Sequence, residues 1–105
     1  MDTGIANSIN NVVIRLTNER WHHVVLNHPE LKYLKQSILH TIENPIFVVH
    51  GNLSAIMAVR KYNTKFLVVV YKEELRTKDG FVITAFLTSN LKKITKRPLI
   101  WKGKK

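Results

Sequence analysis

From Ile46 onward the chain is written in short β-branched and aromatic runs. Ile46 to His50, Ser54 to Tyr62, Phe66 to Glu73 and Phe81 to Thr88 are separated by Gly51-Asn52, Asn63-Thr64-Lys65 and Arg76-Thr77-Lys78-Asp79-Gly80. Runs of this length bounded by turn formers read as strands joined by short loops. Phe66 to Tyr71 is apolar on both parities, as a central strand requires. The first half of the chain has a different period. Thr17 or Asn18 caps a helix in which Trp21, Val24 and Val25 share one face, with His23 roughly opposite. Pro29 then opens a second helix, with Leu31, Leu34, Ile38 and Ile42 at helical spacing until Glu43-Asn44-Pro45 ends it. Residues 1–11 are polar and without period and read as a loose arm; Val12 to Leu16 could form a short strand. This order predicts an α+β domain, two N-terminal helices packed on one face of a four-stranded antiparallel sheet.

Strand alternation sorts the side chains further. In Phe81 to Thr88 the odd positions are wholly apolar, whereas Thr84 and Thr88 fall with Val82 and Phe86 on the other face. In Ser54 to Tyr62 the same rule separates Arg60 and Tyr62 from Met57 and Val59. The expectation is one face of core, under Trp21, Leu31, Leu34 and Ile38, and a second, accessible face shared by Arg60 and Thr84.

A chain of 105 residues has room for one domain, 1–105, with a basic C-terminal tail over 90–105. Lys and Arg number 17 against 7 Asp and Glu, a net charge of +10, with 45% hydrophobic residues. That apolar fraction argues against disorder. No acidic residue follows Asp79, and Lys92, Lys93, Lys96, Arg97, Lys102, Lys104 and Lys105 crowd the end. Such a patch attracts a phosphate backbone, and it also suits an acidic protein. The apolar residues of the tail are interrupted by Pro98, and no apolar run is long enough to span a bilayer, so no membrane role is expected. With no cysteine and no signal-like N-terminus, the cytoplasm is the expected compartment.

The chemistries open to these residues are few. Gly4, Gly51, Gly80 and Gly103 are too scattered for a phosphate loop, and there is no nucleophile elbow. His22, His23 and His28 lack paired carboxylates nearby, so neither a metal nor a cofactor is expected. What remains is metal-independent cleavage of RNA, in which the 2′-OH is the nucleophile and the protein supplies a base, an acid and positive charge. His23, Arg60 and Thr84 are the candidate catalytic set. Tyr62 and Phe86 are candidates to stack bases, and Lys92, Lys93, Lys96 and Arg97 to hold phosphates. Each has a plainer role open to it: His23 as a solvent-facing helix residue, Thr84 as a strand residue, Arg60 paired with Glu73 or Glu74, and His28 and Glu30 as a cap and a first-turn carboxylate.

The segments Leu16-Thr17-Asn18-Glu19-Arg20-Trp21-His22-His23-Val24, His28-Pro29-Glu30-Leu31, Ile42-Glu43-Asn44-Pro45, Val59-Arg60-Lys61-Tyr62, Val68-Val69-Val70 and Phe81-Val82-Ile83-Thr84-Ala85-Phe86 resemble a phage-associated family of the barnase, EndoU, colicin and RelE-like nuclease superfamily. The resemblance covers about residues 14 to 101. It implies a catalytic role for His23, Arg60 and Thr84, and supporting roles for His28 and Glu30. Asn27 stands where an Arg often precedes His-Pro-Glu, and the order of Arg60 and Tyr62 is less typical. The implied protein is a toxin or phage-derived effector that cuts RNA, tRNA among the candidates, and is held in check by an acidic antitoxin or immunity protein. Two alternatives stay open: an inactive RNA- or DNA-binding module of the same fold, and an interaction domain for an acidic partner.

Overall fold

The computed structural model describes residues 2–103. Lys104 and Lys105, the end of the basic tail, lie outside the described residues. The chain runs β1 (Asp2–Asn7), β2 (Val13–Thr17), α1 (Asn18–Asn27), a 3₁₀ turn (Pro29–Leu31), α2 (Lys35–Glu43), β3 (Phe47–His50), β4 (Ile56–Tyr62), β5 (Lys65–Glu74), β6 (Asp79–Thr88), α3 (Lys92–Thr95) and β7 (Leu99–Lys102).

Among the described residues the seven strands form one mixed sheet in the order β1-β2-β6-β5-β4-β3-β7. This corrects the expected four-stranded antiparallel sheet under two helices. The β3-β4-β5-β6 meander is present, but β2 pairs parallel to β6, and β1 and β7 extend the two edges. Residues 2–7 are therefore a strand rather than part of a loose arm, and the basic tail contributes a short helix and an edge strand. The second expected helix is also divided, into the 3₁₀ turn at Pro29 and α2 from Lys35.

The sequence of β1, Asp-Thr-Gly-Ile-Ala-Asn, is poor in strand formers, and tertiary contacts impose the strand. Ala6 is buried, the Asn7 N–H donates to Glu43 Oε2 at 3.0 Å, and Lys35 Nζ donates to Thr3 Oγ1 at 2.6 Å. Both partners belong to α2, which thus clips the edge strand in place. Gly4 makes this possible, because a Cβ there would lie 2.6 Å from Leu39 Cδ1.

α1 begins where the sequence indicated. The Thr17 side chain accepts from the Arg20 N–H at 3.1 Å, a cap worth about 1 kcal/mol. Val24 is buried and His23 exposed, as the helical spacing requires. Leu31, Ile38 and Ile42 fill the main core with Ile14, Leu16, Val48, Ala58, Leu67, Val69, Tyr71, Val82 and Ala85. Ile9 near one edge and Ile100 on the opposite edge strand both pack on this core.

The far face of the sheet is also covered. Val49, Met57, Val59, Val68 and Ile94 form a second core, flanked by Phe47, Phe66, Val70, Phe86 and Leu91. Leu91 and Ile94 bring it the apolar side of the α3 segment. Alternation fails once in β6: Val70 lies opposite Thr84 but Tyr71 opposite Val82, which makes Ile83 the extra residue of a bulge. Val82 consequently turns into the main core, away from the face that strict parity assigns it.

Candidate functional site

The last turn of α2 organises a polar cleft. α2 stops at Glu43, ahead of Pro45, and the Asn44 N–H closes the final turn on the His40 carbonyl at 2.8 Å. The same residue makes two further contacts. Asn44 Nδ2 lies 3.4 Å from His40 Nδ1, and the Asn44 carbonyl accepts a hydrogen bond from the Arg60 guanidinium. Arg60 reaches it from β4, where it lies opposite Leu67 on the helix face.

These groups open on a cleft of about 560 Å³ lined by Gln36, Ser37, His40 and Thr41 of α2 and by Arg60, Lys61, Tyr62 and Leu67 of the sheet. Among the described residues no carboxylate lines it. Arg60 has five N–H donors and spends one on Asn44, leaving others for a guest. The imidazole can accept or donate a hydrogen bond through its ring nitrogens, the guanidinium can bind an anion, and the phenol of Tyr62 offers both a ring and an O–H. The arrangement suits an anionic guest with a proton to lose.

The candidate residues from the sequence are divided between the two faces. Arg60 lies opposite Leu67 and Thr84 opposite Val70, three positions apart on β5, so they point to opposite sides of the sheet. The expected shared surface for Arg60 and Thr84 does not exist. His23 stands exposed on α1 and does not line the cleft of Arg60. Arg60 and Tyr62 are the members of the expected set that come together. Arg60 pairs with neither Glu73 nor Glu74, which lie at the far end of β5.

The remaining candidates lie elsewhere. His28 Nδ1 is 3.7 Å from Glu30 Oε2, and its ring centroid is 6.3 Å from that of Phe86, itself half-buried against the second core. Lys92, Lys93 and Lys96 are exposed on and just after α3. Arg97 turns back to the β3–β4 loop, donating to the His50 carbonyl at 3.4 Å and to Asn52 Oδ1 at 3.2 Å.

His40, Ser37 and Gln36 were not singled out by sequence, although a signal existed. They fall on the side of α2 away from Ile38 and Ile42, and Asn44-Pro45 marks where that helix must stop. The missing information was which strand end this side faces.

The carboxylates of the strands, though not the cations, gather at one end. The turn joining β4 to β5 is flanked by Lys61 of β4 and Lys65 of β5, and Lys102 of β7 lies opposite Phe47 near the same end. β6 reaches this end at Thr88, opposite Phe66, before the chain enters α3 with Lys92 and Lys93. Glu73, Glu74 and Asp79 gather at the other end, where Arg15 bonds Asp2 at 2.8 Å and Asp79 at 3.0 Å. Donation to Asp2 first and then to Asp79 raises the pKa of Arg15.

No family model, curated protein or solved structure matches the chain. Among the described residues no helix is long and apolar enough to cross a membrane.

Proposed function

We propose that the protein is a metal-independent endoribonuclease whose reaction is carried by His40, Arg60 and Tyr62. The observation behind this reading is that Asn44 joins Arg60 and His40 at a cleft lined by no carboxylate among the described residues. In this mechanism His40 takes the proton of the RNA 2′-OH as it attacks the adjacent phosphorus. Arg60 offsets the charge that grows on the phosphoryl oxygens, and the Tyr62 hydroxyl protonates the departing 5′ oxygen. Lys65, opposite Tyr62, holds a flanking phosphate, and Lys61, Lys92, Lys93, Lys96 and Lys102, on or beside the far face, meet only a strand that rounds this end of the sheet. The resemblance to the nuclease superfamily points to the same chemistry, with Arg60 common to both readings and His40 in place of His23.

The partner this reading implies is RNA, with an acidic antitoxin or immunity protein as its natural inhibitor and the cytoplasm as its compartment. A second reading is favoured by the division of His23, Arg60 and Thr84 between separate surfaces: an RNA-binding module that does not cut. Incubation with total RNA in excess EDTA separates the two. Cleavage leaving 2′,3′-cyclic phosphate ends, blocked by 2′-deoxy substitution at the cut site and lost in His40→Ala, supports the enzyme. Retention of intact RNA supports the binding module, and cleavage that requires added metal overturns the mechanism.

A further inference from the structure

The far face of the sheet carries a second cleft, of about 500 Å³, that the RNA reading does not use. Its floor is apolar, made by Met57, Val70, Ile83 and Phe86, and its rim is cationic, made by Lys72 and Arg97. The bulge in β6 helps to build it, because the extra residue, Ile83, lines the cleft together with Phe86. Arg97 is held in place by the His50 carbonyl and Asn52 Oδ1, both uncharged, so its positive charge is fixed without being neutralised. Neither Arg97 nor Lys72 forms an ion pair among the described residues.

We propose that this cleft binds a small amphipathic anion: a compact aliphatic or aromatic body on the Met57, Val70, Ile83 and Phe86 floor, with one carboxylate or phosphate head between Arg97 and Lys72. The volume is that of a small-molecule site. An apolar floor favours a body with no hydrogen bonds to satisfy, and two cations with no partnered acid favour an anionic head. A nucleic-acid strand fits less well, since the floor offers base edges nothing to read. Leu53 stands at the lip, 87% exposed, with φ of 52°, and Ser54 follows at φ of 70°. Two successive left-handed residues that are not glycine carry backbone strain, and the exposed leucine they present is the apolar cover for a bound body.

The test is an NMR titration of the methyl and amide signals of the full chain with octanoate, octyl phosphate and octan-1-ol. Octanoate or octyl phosphate should give saturable shifts at Met57, Val70 and Ile83, and the tighter of the two identifies the head group. Octan-1-ol should bind at least tenfold more weakly. Arg97→Gln and Lys72→Gln should each weaken the anion at least tenfold while leaving the fold intact by circular dichroism. If Arg97→Gln disturbs the β3–β4 loop, Lys72→Gln alone decides. Absence of saturable shifts in the cleft, equal affinity for octan-1-ol, or undiminished binding in Lys72→Gln overturns the proposal. So does an RNA oligonucleotide that displaces octanoate from the same methyls, which would make this face a strand-binding surface. None of these outcomes depends on RNA cleavage at the α2 cleft.

Discussion

Arg60 of β4 donates to the main-chain carbonyl of Asn44, the residue that caps α2. A strand guanidinium is thereby fixed to a helix end, where unpaired carbonyls already favour positive charge. Because the Asn44 side chain also meets His40, one residue both ends the helix and sets the spacing between a cation and an imidazole. The cleft is thus a consequence of how the helix terminates.

His40→Ala should lower turnover by about 10²- to 10⁴-fold, the range for loss of a general base, with no loss of stability, because the side chain is exposed. Asn44→Ala keeps the carbonyl that Arg60 uses but removes the contact with His40, so it should lower kcat more than it raises KM. Arg60→Lys retains charge but not the fork of donors and should remain impaired. Steady-state cleavage of a short oligoribonucleotide measures all three.

α2 was legible because Ile38 and Ile42 repeat at helical spacing and are both buried, whereas Leu31, also buried, belongs to the separate 3₁₀ turn. β5 was legible as a central strand because it is apolar on both sides. The sequence could not show which side of β4 lies under the helices. Met57 and Val59 look like the core side, yet they face the second core beneath Ile94, whereas Ala58, Arg60 and Tyr62 face α2. With apolar residues on both sides, alternation cannot choose. β1 and β7 were hidden for another reason. Asp2, Gly4 and Asn7 carry no strand preference, and Leu99 to Lys102 reads as charge and aromatic tail; both become strands only by pairing. The bulge at Ile83 is a one-residue slip within a run that looks regular.

The division of the two faces makes a further prediction about Thr84 and His23. Thr84→Val and His23→Ala should leave RNA cleavage unchanged, since neither residue lines the cleft that holds His40 and Arg60. A large loss of kcat in either variant, with folding intact, would move the reaction away from α2.

Gly80 of β6 lies opposite Ile14 of β2 and Glu73 of β5. A Cβ added there would come 2.1 Å from the Lys72 carbonyl oxygen and 2.8 Å from Ile14 Cδ1. The first contact is backbone and cannot swing aside. Gly80→Ala should therefore cost about 1 to 3 kcal/mol of stability, as overpacking does. Gly4→Ala should cost less, because Leu39 Cδ1 can move to another rotamer. Urea denaturation of the two variants tests the ranking.

Tyr71 is fully buried in the main core, and its hydroxyl has no hydrogen-bond partner among the described residues. Burial is the main reason its pKa is raised well above the ordinary tyrosine value, and the charge of Glu73 adds to the shift. The sign of the pH effect follows. Below about pH 10 the phenol is protonated in both the folded and the unfolded chain, and stability does not depend on it. Above that pH the unfolded chain releases a proton that the folded chain retains, so the unfolded state is favoured and stability falls until the folded phenol itself ionises. Tyr71→Phe removes this group from the balance. The variant should lose less stability than the parent between pH 9 and pH 11, a comparison in which the other titrating lysines and tyrosines cancel. At pH 7 it should be more stable by about 1 kcal/mol, since it deletes a buried polar group left without a partner. Denaturation midpoints for the pair across this range provide the measurement; a parallel decline in both proteins would show that the hydroxyl is solvated or bonded in solution.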